Sequence, residues 1–265
     1  MNFFRRIKTL YILHRYPIRH DVWFSVTERL DILHRLTSVE KAHLRELTTI
    51  FLHEKRFIGV GVDLTSEMRV YIGVQACLPI LHLGIRLLSG WTDIVVYPDA
   101  FYVNHNQVDE CGVAHQNERL LSGEAWSKGP IVLSWADIER DINDCHRGHN
   151  VVIHEIAHKL DMLDGSSNGI PPLYYHMLIP EWTTALSEAY AELQLNVQHH
   201  QRTCMNPYAA NSPAEFFAVL SEYFFTAPEV VLTNFPLVYR QLEQYYRQTP
   251  LTLVSDCSGR RSMLV

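Results

Sequence analysis

Cysteine is scarce and scattered in this chain: the five, at 77, 111, 145, 204 and 257, form no C-x-x-C pair and no regular spacing. That excludes a disulfide framework and a cysteine-rich structural metal site, and it reads as reduced thiols. Long apolar runs are missing too. The most apolar stretch, 74–88, is interrupted by Pro79, His82 and Arg86, which rules it out as a membrane span. At the start, Phe3-Phe4 is followed at once by Arg5-Arg6, and the apolar stretch 10–13 is too short for the core of an export signal. These absences predict a soluble, cytoplasmic protein with no membrane partner. No long run of one charge sign occurs, and the net charge is −6, which argues against direct nucleic-acid binding. A local basic cluster, Arg5, Arg6, Lys8, Arg15 and Arg19, reads as a solvated, mobile N-terminus. There is no repeat, no low-complexity tract and no Pro/Gly/Ser-rich linker, and 265 residues at 47% hydrophobic suffice for one substantial core.

What the chain does have is His154-Glu155-Ile156-Ala157-His158, directly behind the apolar run Val151-Val152-Ile153. A chain with 15 His produces such a pentad by chance in roughly 5% of shuffles, so its context has to decide. Residues 150–161 read as a helix, with Val151, Val152, Ile156, Ala157 and Leu160 apolar and no internal Pro or Gly. Gly165, Gly169 and Pro171-Pro172 then mark a loop. On a helix, residues four apart share a face, so both imidazoles can point at one ion. Zinc accepts neutral imidazole nitrogen, and the intervening glutamate can serve water at the metal. Asp161 shares this face, where it either accepts a ring N–H from a ligand histidine or stands solvated near the helix end. Lys159 reads as a solvated side chain, and His146 and His149 as loop histidines.

A catalytic zinc takes three protein ligands and leaves one position open. The pattern with a third His shortly after the pentad is disfavoured, because the required Gly is missing and position 164 is Asp. A glutamate from a later helix is the alternative. Glu181, Glu188 and Glu192 lie on a segment with a polar face, whereas Glu215 and Glu222 lie two turns apart on the strongly apolar 213–225. A buried carboxylate needs a partner or a metal. Ser212-Pro213-Ala214-Glu215 also fits a capping box, which gives Glu215 a second explanation. The residues themselves leave the metal role open between Glu215 and Glu222. Tyr208, in an Asn-Pro-Tyr turn, reads either as a packed loop residue or as a hydrogen-bond donor to an oxyanion.

The combination H-E-I-A-H-K-L-D with N-P-Y-A-A-N-S-P-A-E-F-F-A-V-L-S-E-Y-F-F resembles the Mlc titration factor A family of bacterial zinc peptidases. The segment G-V-A-H-Q-N-E-R-L-L-S-G-E-A-W-S-K-G-P-I-V-L-S-W fits the same family, as do C-L-P-I-L-H-L-G and V-V-Y-P. The likeness runs over roughly residues 45 to 250 and weakens at both ends. It implies a catalytic core similar to that of anthrax lethal factor. It further implies one Zn2+ per chain on His154, His158 and Glu215, with Glu155 as general base and Tyr208 as transition-state donor. Glu222 becomes a supporting residue behind the ligands, and His115 a histidine that approaches the metal. Aminopeptidase action on peptide substrates is implied as well, and so is capture of Mlc, a repressor of sugar-uptake genes.

The element order is that of an α+β protein: a predominantly helical, zincin-like metallopeptidase with a small mixed sheet and the pentad on a helix. Residues 1–265 are expected to form a single domain, with a helical part at 1–55, a catalytic core at 56–250 and a flexible tail at 251–265. Helices are predicted over 27–36, over 38–55 with Ser38 as N-cap, and over 68–81. Strands are predicted at 94–97, 101–103 and 130–135, and helices again from 151 to about 247 with two loop breaks. The 131–135 strand is expected to run beside the metal as an edge that pairs with extended substrate. Trp126 and Trp135 read as packing residues. Two competing readings accompany the peptidase: a binding protein that captures a repressor without chemistry, and a purely structural zinc site, disfavoured because such sites are closed and cysteine-rich.

Overall fold

Helix starts are written into the chain as capping residues. In the computed structural model, which describes residues 3–99, 129–143 and 148–251, ten α-helices and three strands follow one another among the described residues. α1 (Phe3–Arg15) and α2 (His20–Glu28) lead into α3 (Ser38–Glu54). Thr37 caps α3 in a reciprocal box, its hydroxyl accepting from the Glu40 N–H at 3.2 Å while the Glu40 carboxylate accepts from the Thr37 N–H at 2.9 Å. β1 (Arg56–Gly59), α4 (Ser66–Cys77) and β2 (Asp93–Tyr97) come next, then β3 (Ile131–Ser134) and α5 (Trp135–Asn143). The pentad helix α6 (Val151–Asp161) is followed by α7 (Ile179–Gln198), α8 (Pro213–Thr226), α9 (Pro228–Asn234) and α10 (Pro236–Tyr246).

The three strands form one parallel sheet in the order β1-β2-β3, with Ile94 opposite both Phe57 and Ile131. Parallel neighbours need a crossover, and α4 lies on the one from β1 to β2. Ile94 and Val96 on β2, with Ile131 and Leu133 on β3, point into the core. The described strands are therefore all parallel rather than mixed, with β2 central and β1 and β3 at the two outer positions among them. The core continues from the sheet into α6 and α8, which pack on each other along the faces that carry His154 and Glu222, while Phe217 and Phe224 turn toward α7 and α10. α8 is buried nearly all round, because α6, α9, α10 and the turn before it all contact it.

Several local expectations change in three dimensions. The pattern at 27–36 does not make a helix. α2 ends at Glu28, Leu30 turns extended, and a short 3-10 turn, Asp31–Leu33, buries Leu30 and Leu33 together, which suits the tighter three-residue spacing. Thr37, not Ser38, is the cap of α3 because it owns the hydroxyl that reaches the third N–H of the helix. The helix predicted over 68–81 starts at Ser66 and ends at Cys77. Trp135 opens α5 instead of closing the strand, with Ser134 Oγ accepting from the Asp137 N–H at 3.2 Å. The basic N-terminus is helix α1, fastened by buried Ile12 and by a Lys8–Glu54 ion pair of 2.9 Å to α3. The predicted strand at 101–103, Trp126, and the tail beyond residue 251 lie outside the described residues.

Candidate metal centre

The site is assembled by the crossing of α6 and α8. Asn150 caps α6, its side-chain oxygen accepting from the Ile153 N–H at 2.9 Å. One turn separates His154 and His158, and their Nε2 atoms come within 3.1 Å of each other. From the first turn of α8, Glu215 Oε2 stands 3.1 Å from His154 Nε2 and 3.4 Å from His158 Nε2. Among the described residues this is the one His/Cys/Asp/Glu trio whose ligand atoms converge so closely. Ligand atoms at about 2.05 Å from a tetrahedral zinc are about 3.3 Å apart, so the triangle has the size zinc requires. Glu215 Oε2 is buried and has no well-aligned hydrogen-bond donor of its own, as expected of an oxygen placed for a cation. The donor set, two imidazoles and one carboxylate, fits zinc.

Burial alone lowers the pKa of His154, but the carboxylates of Glu215 and Glu222 beside it outweigh that and raise the value to about 10. Burial raises Glu215, yet the same two histidines hold its carboxyl far below the ordinary range.

Glu222 works from the other side of the ring. Its Oε1 accepts from His154 Nδ1–H at 2.7 Å, and its Oε2 accepts from the Asn150 N–H at 2.6 Å. The bond fixes the orientation of the His154 ring and turns Nε2 toward Glu215 and His158, the edge that would offer its lone pair to zinc in place of a proton. The capping box at Ser212 is only half made. Ser212 Oγ accepts from the Glu215 N–H at 3.2 Å, while the Glu215 carboxylate faces the histidines instead of returning to the cap.

The sequence that builds this centre has known counterparts. The model of the family described as glucose-regulated metallo-peptidase M90 matches residues 3–247. Mlc titration factor A of Yersinia enterocolitica is 39% identical over 226 residues, 84% of each chain. The protein of that name from Escherichia fergusonii is 40% identical over 225 residues, again 84% of each. Mlc titration factor A of Yersinia pestis is 38% identical over 226 residues. The chain belongs to the M90 metallo-peptidase family.

The remaining residues of this M90 site fall at different distances from the trio. Glu155 lies on α6 between the two histidines and is partly buried. Tyr208, on a 3-10 turn (Pro207–Ala210), is 49% exposed, with its ring centred 6.3 Å from that of His154. The turn is pinned where the Asn206 N–H donates to the Tyr223 hydroxyl at 3.1 Å. Asp161 does not take the place expected of it. It is fully buried, and its Oδ2 accepts from the Gly169 N–H at 2.9 Å, so it fastens the loop after α6 while Glu222 serves a ligand ring. Gly169 has φ +77°, and a Cβ there would meet the Pro213 carbonyl oxygen at 2.5 Å, so this loop lies tight against the start of α8. Lys159 is buried rather than solvated, donating to the Gly129 carbonyl at 2.8 Å. His149 pairs with Asp141 Oδ1 at 2.6 Å, and Asp141 Oδ2 accepts from the Val151 N–H at 3.0 Å. Glu181, Glu188 and Glu192 are exposed on α7. His115 lies outside the described residues.

Sequence reading missed one supporting residue. The Asn150 side-chain N–H donates to Gln75 Oε1 at 2.5 Å, and Gln75 Nε2 donates to the Tyr71 carbonyl at 3.1 Å. A buried chain of bonds thus runs from α4 through Asn150 and Glu222 to His154. The signal was a single Gln inside the apolar V-Y-I-G-V-Q-A-C.

Proposed function

We propose that this chain is a zinc-dependent peptidase of aminopeptidase type that also sequesters the repressor Mlc. The observation that carries the enzymatic half is the convergence of His154, His158 and Glu215 at 3.1 to 3.4 Å, with Glu155 on the same helix between the two histidines. His154, His158 and Glu215 hold one zinc ion in this reading, and bound zinc supplies Lewis acidity toward water and a peptide carbonyl. Glu155 takes a proton from the attacking water and delivers it to the leaving amine. The Tyr208 phenol donates a hydrogen bond to the carbonyl oxygen as negative charge gathers there. β3, one of the two outer described strands and the one in contact with α6, offers main-chain pairing to an extended substrate. Aminopeptidase action and a cytoplasmic location come from the family resemblance and the sequence reading.

The regulatory half rests on the name shared by the relatives, Mlc titration factor A. Its competing form is an anti-repressor without chemistry, in which zinc is regulatory or vestigial. Elemental analysis after dialysis tests the centre: one zinc per wild-type chain, much weakened in Glu215→Ala, supports it, and a zinc-free wild type removes it. Glu155→Gln separates the two halves. It is expected to keep zinc and repressor binding but lose turnover of unblocked peptides, and normal turnover by this variant would sink the peptidase reading.

A further inference from the structure

Charge is distributed unevenly along this chain. Of its 23 Lys and Arg, five lie in the first 20 residues, where there is no Asp or Glu; the other 18 face 29 Asp and Glu, a net charge of −11 for the rest. The basic segment is largely helix α1, and α1 has two apolar faces. One is spent on the fold: Ile12 is 1% exposed, Thr9 and Leu13 are half-buried, and the helix packs on α3. The other points outward. Ile7, Leu10 and Tyr11 are 50%, 58% and 58% exposed. At 100° per residue these three and His14 span an arc of about 100° centred opposite the buried side. Arg6 borders that arc on one edge, and Lys8 and Arg15 border it on the other.

An apolar stripe between two cationic edges has few fitting partners. A second copy of the chain is disfavoured, since facing stripes would bring Arg6, Lys8 and Arg15 against their own counterparts without an acidic residue in the segment. An anionic lipid surface satisfies both features. Aliphatic side chains and the Tyr11 ring enter the boundary between headgroups and acyl chains, while the flanking cations meet phosphate. We infer that the outward face of α1 is a reversible docking site for an anionic lipid bilayer, with the acidic body of the protein held away from it. Lys8 stays available for this, since its ion pair with Glu54 leaves its side chain 61% exposed. Resting on three apolar side chains and a few cations, the attachment is weak and depends on ionic strength.

Co-sedimentation of the full chain with vesicles tests this. Wild type is expected to bind vesicles containing one-third phosphatidylglycerol, to ignore pure phosphatidylcholine, and to dissociate at about 0.5 M salt. Ile7→Glu combined with Leu10→Glu should lower vesicle affinity about tenfold or more, with unchanged circular dichroism and zinc content. Arg6→Glu with Arg15→Glu should do the same without touching the apolar stripe. Failure of wild type to bind anionic vesicles at low salt overturns the inference, as does equal binding by either variant. A wild-type dimer that the apolar variant converts to monomer would assign the face to self-association and overturn it. So would loss of Mlc binding in a protein that never binds vesicles.

Discussion

At the scale of residues, one imidazole organises the centre. Glu215 and Glu222 are two turns apart on α8, and they grip opposite edges of His154, at Nε2 and Nδ1. A glutamine at 222 can accept from either the His154 Nδ1–H or the Asn150 N–H but sets its own N–H₂ against the other donor. Glu222→Gln should therefore weaken zinc binding about 10–100-fold, measured by competition with a chromogenic chelator, and affinity like that of wild type would remove its supporting role. Tyr208→Phe should leave zinc content unchanged and lower turnover about 10–10³-fold, the range for one oxyanion donor. Asp161 carries a pH signature of its own. Burial raises its pKa from 3.8 to about 6 against the bond from Gly169, so between these values the native chain holds a proton that the unfolded chain releases. Stability contributed at this position falls as pH rises through that window. Asp161→Asn should flatten the dependence, read as urea midpoints of both proteins from pH 4 to pH 6.

At the scale of elements, helix starts do most of the positioning. Asn150 begins α6, and Ser212 begins α8 with Pro213 in its first turn. Ser212→Ala removes an acceptor from the Glu215 N–H and should cost about 1 kcal/mol, seen in chemical denaturation. It should also loosen zinc, because the Glu215 carboxylate hangs from that first turn; a stability loss with unchanged zinc affinity would show that α6 alone orders the ligand. Local signals of this kind were legible beforehand. The pentad helix and α8 lie where periodicity, caps and breakers put them, since each depends on residues within four positions of one another. The segment at 27–36 went astray because Leu30 and Leu33 answer to the core and not to their own helical propensity.

At the scale of the whole molecule, the metal links distant segments, with ligands on two helices joined by more than fifty residues. Chelation should then lower the melting temperature, with a loss of about 4 kcal/mol of stability if free zinc stood at a thousand times its dissociation constant. An apoprotein that melts with the holoprotein would place the site on a scaffold rigid without it. The pairing of His154 with His158 follows from sequence alone, because a spacing of four on a helix brings two side chains to one face wherever the helix sits. A Ser-Pro-x-Glu start and an apolar stretch with two glutamates could likewise be read directly. The choice between those glutamates could not, apart from the family resemblance: both share one face of α8, and only the way α8 crosses α6 sends Glu215 to the open Nε2 edge and Glu222 to the buried Nδ1 edge. The same holds for Gln75, whose partner is 75 residues away, and for Asp161, claimed by a loop glycine rather than by a ligand ring. Periodicity and capping are short-range and therefore written in the chain, whereas which buried polar group meets which is set by packing among segments far apart in it.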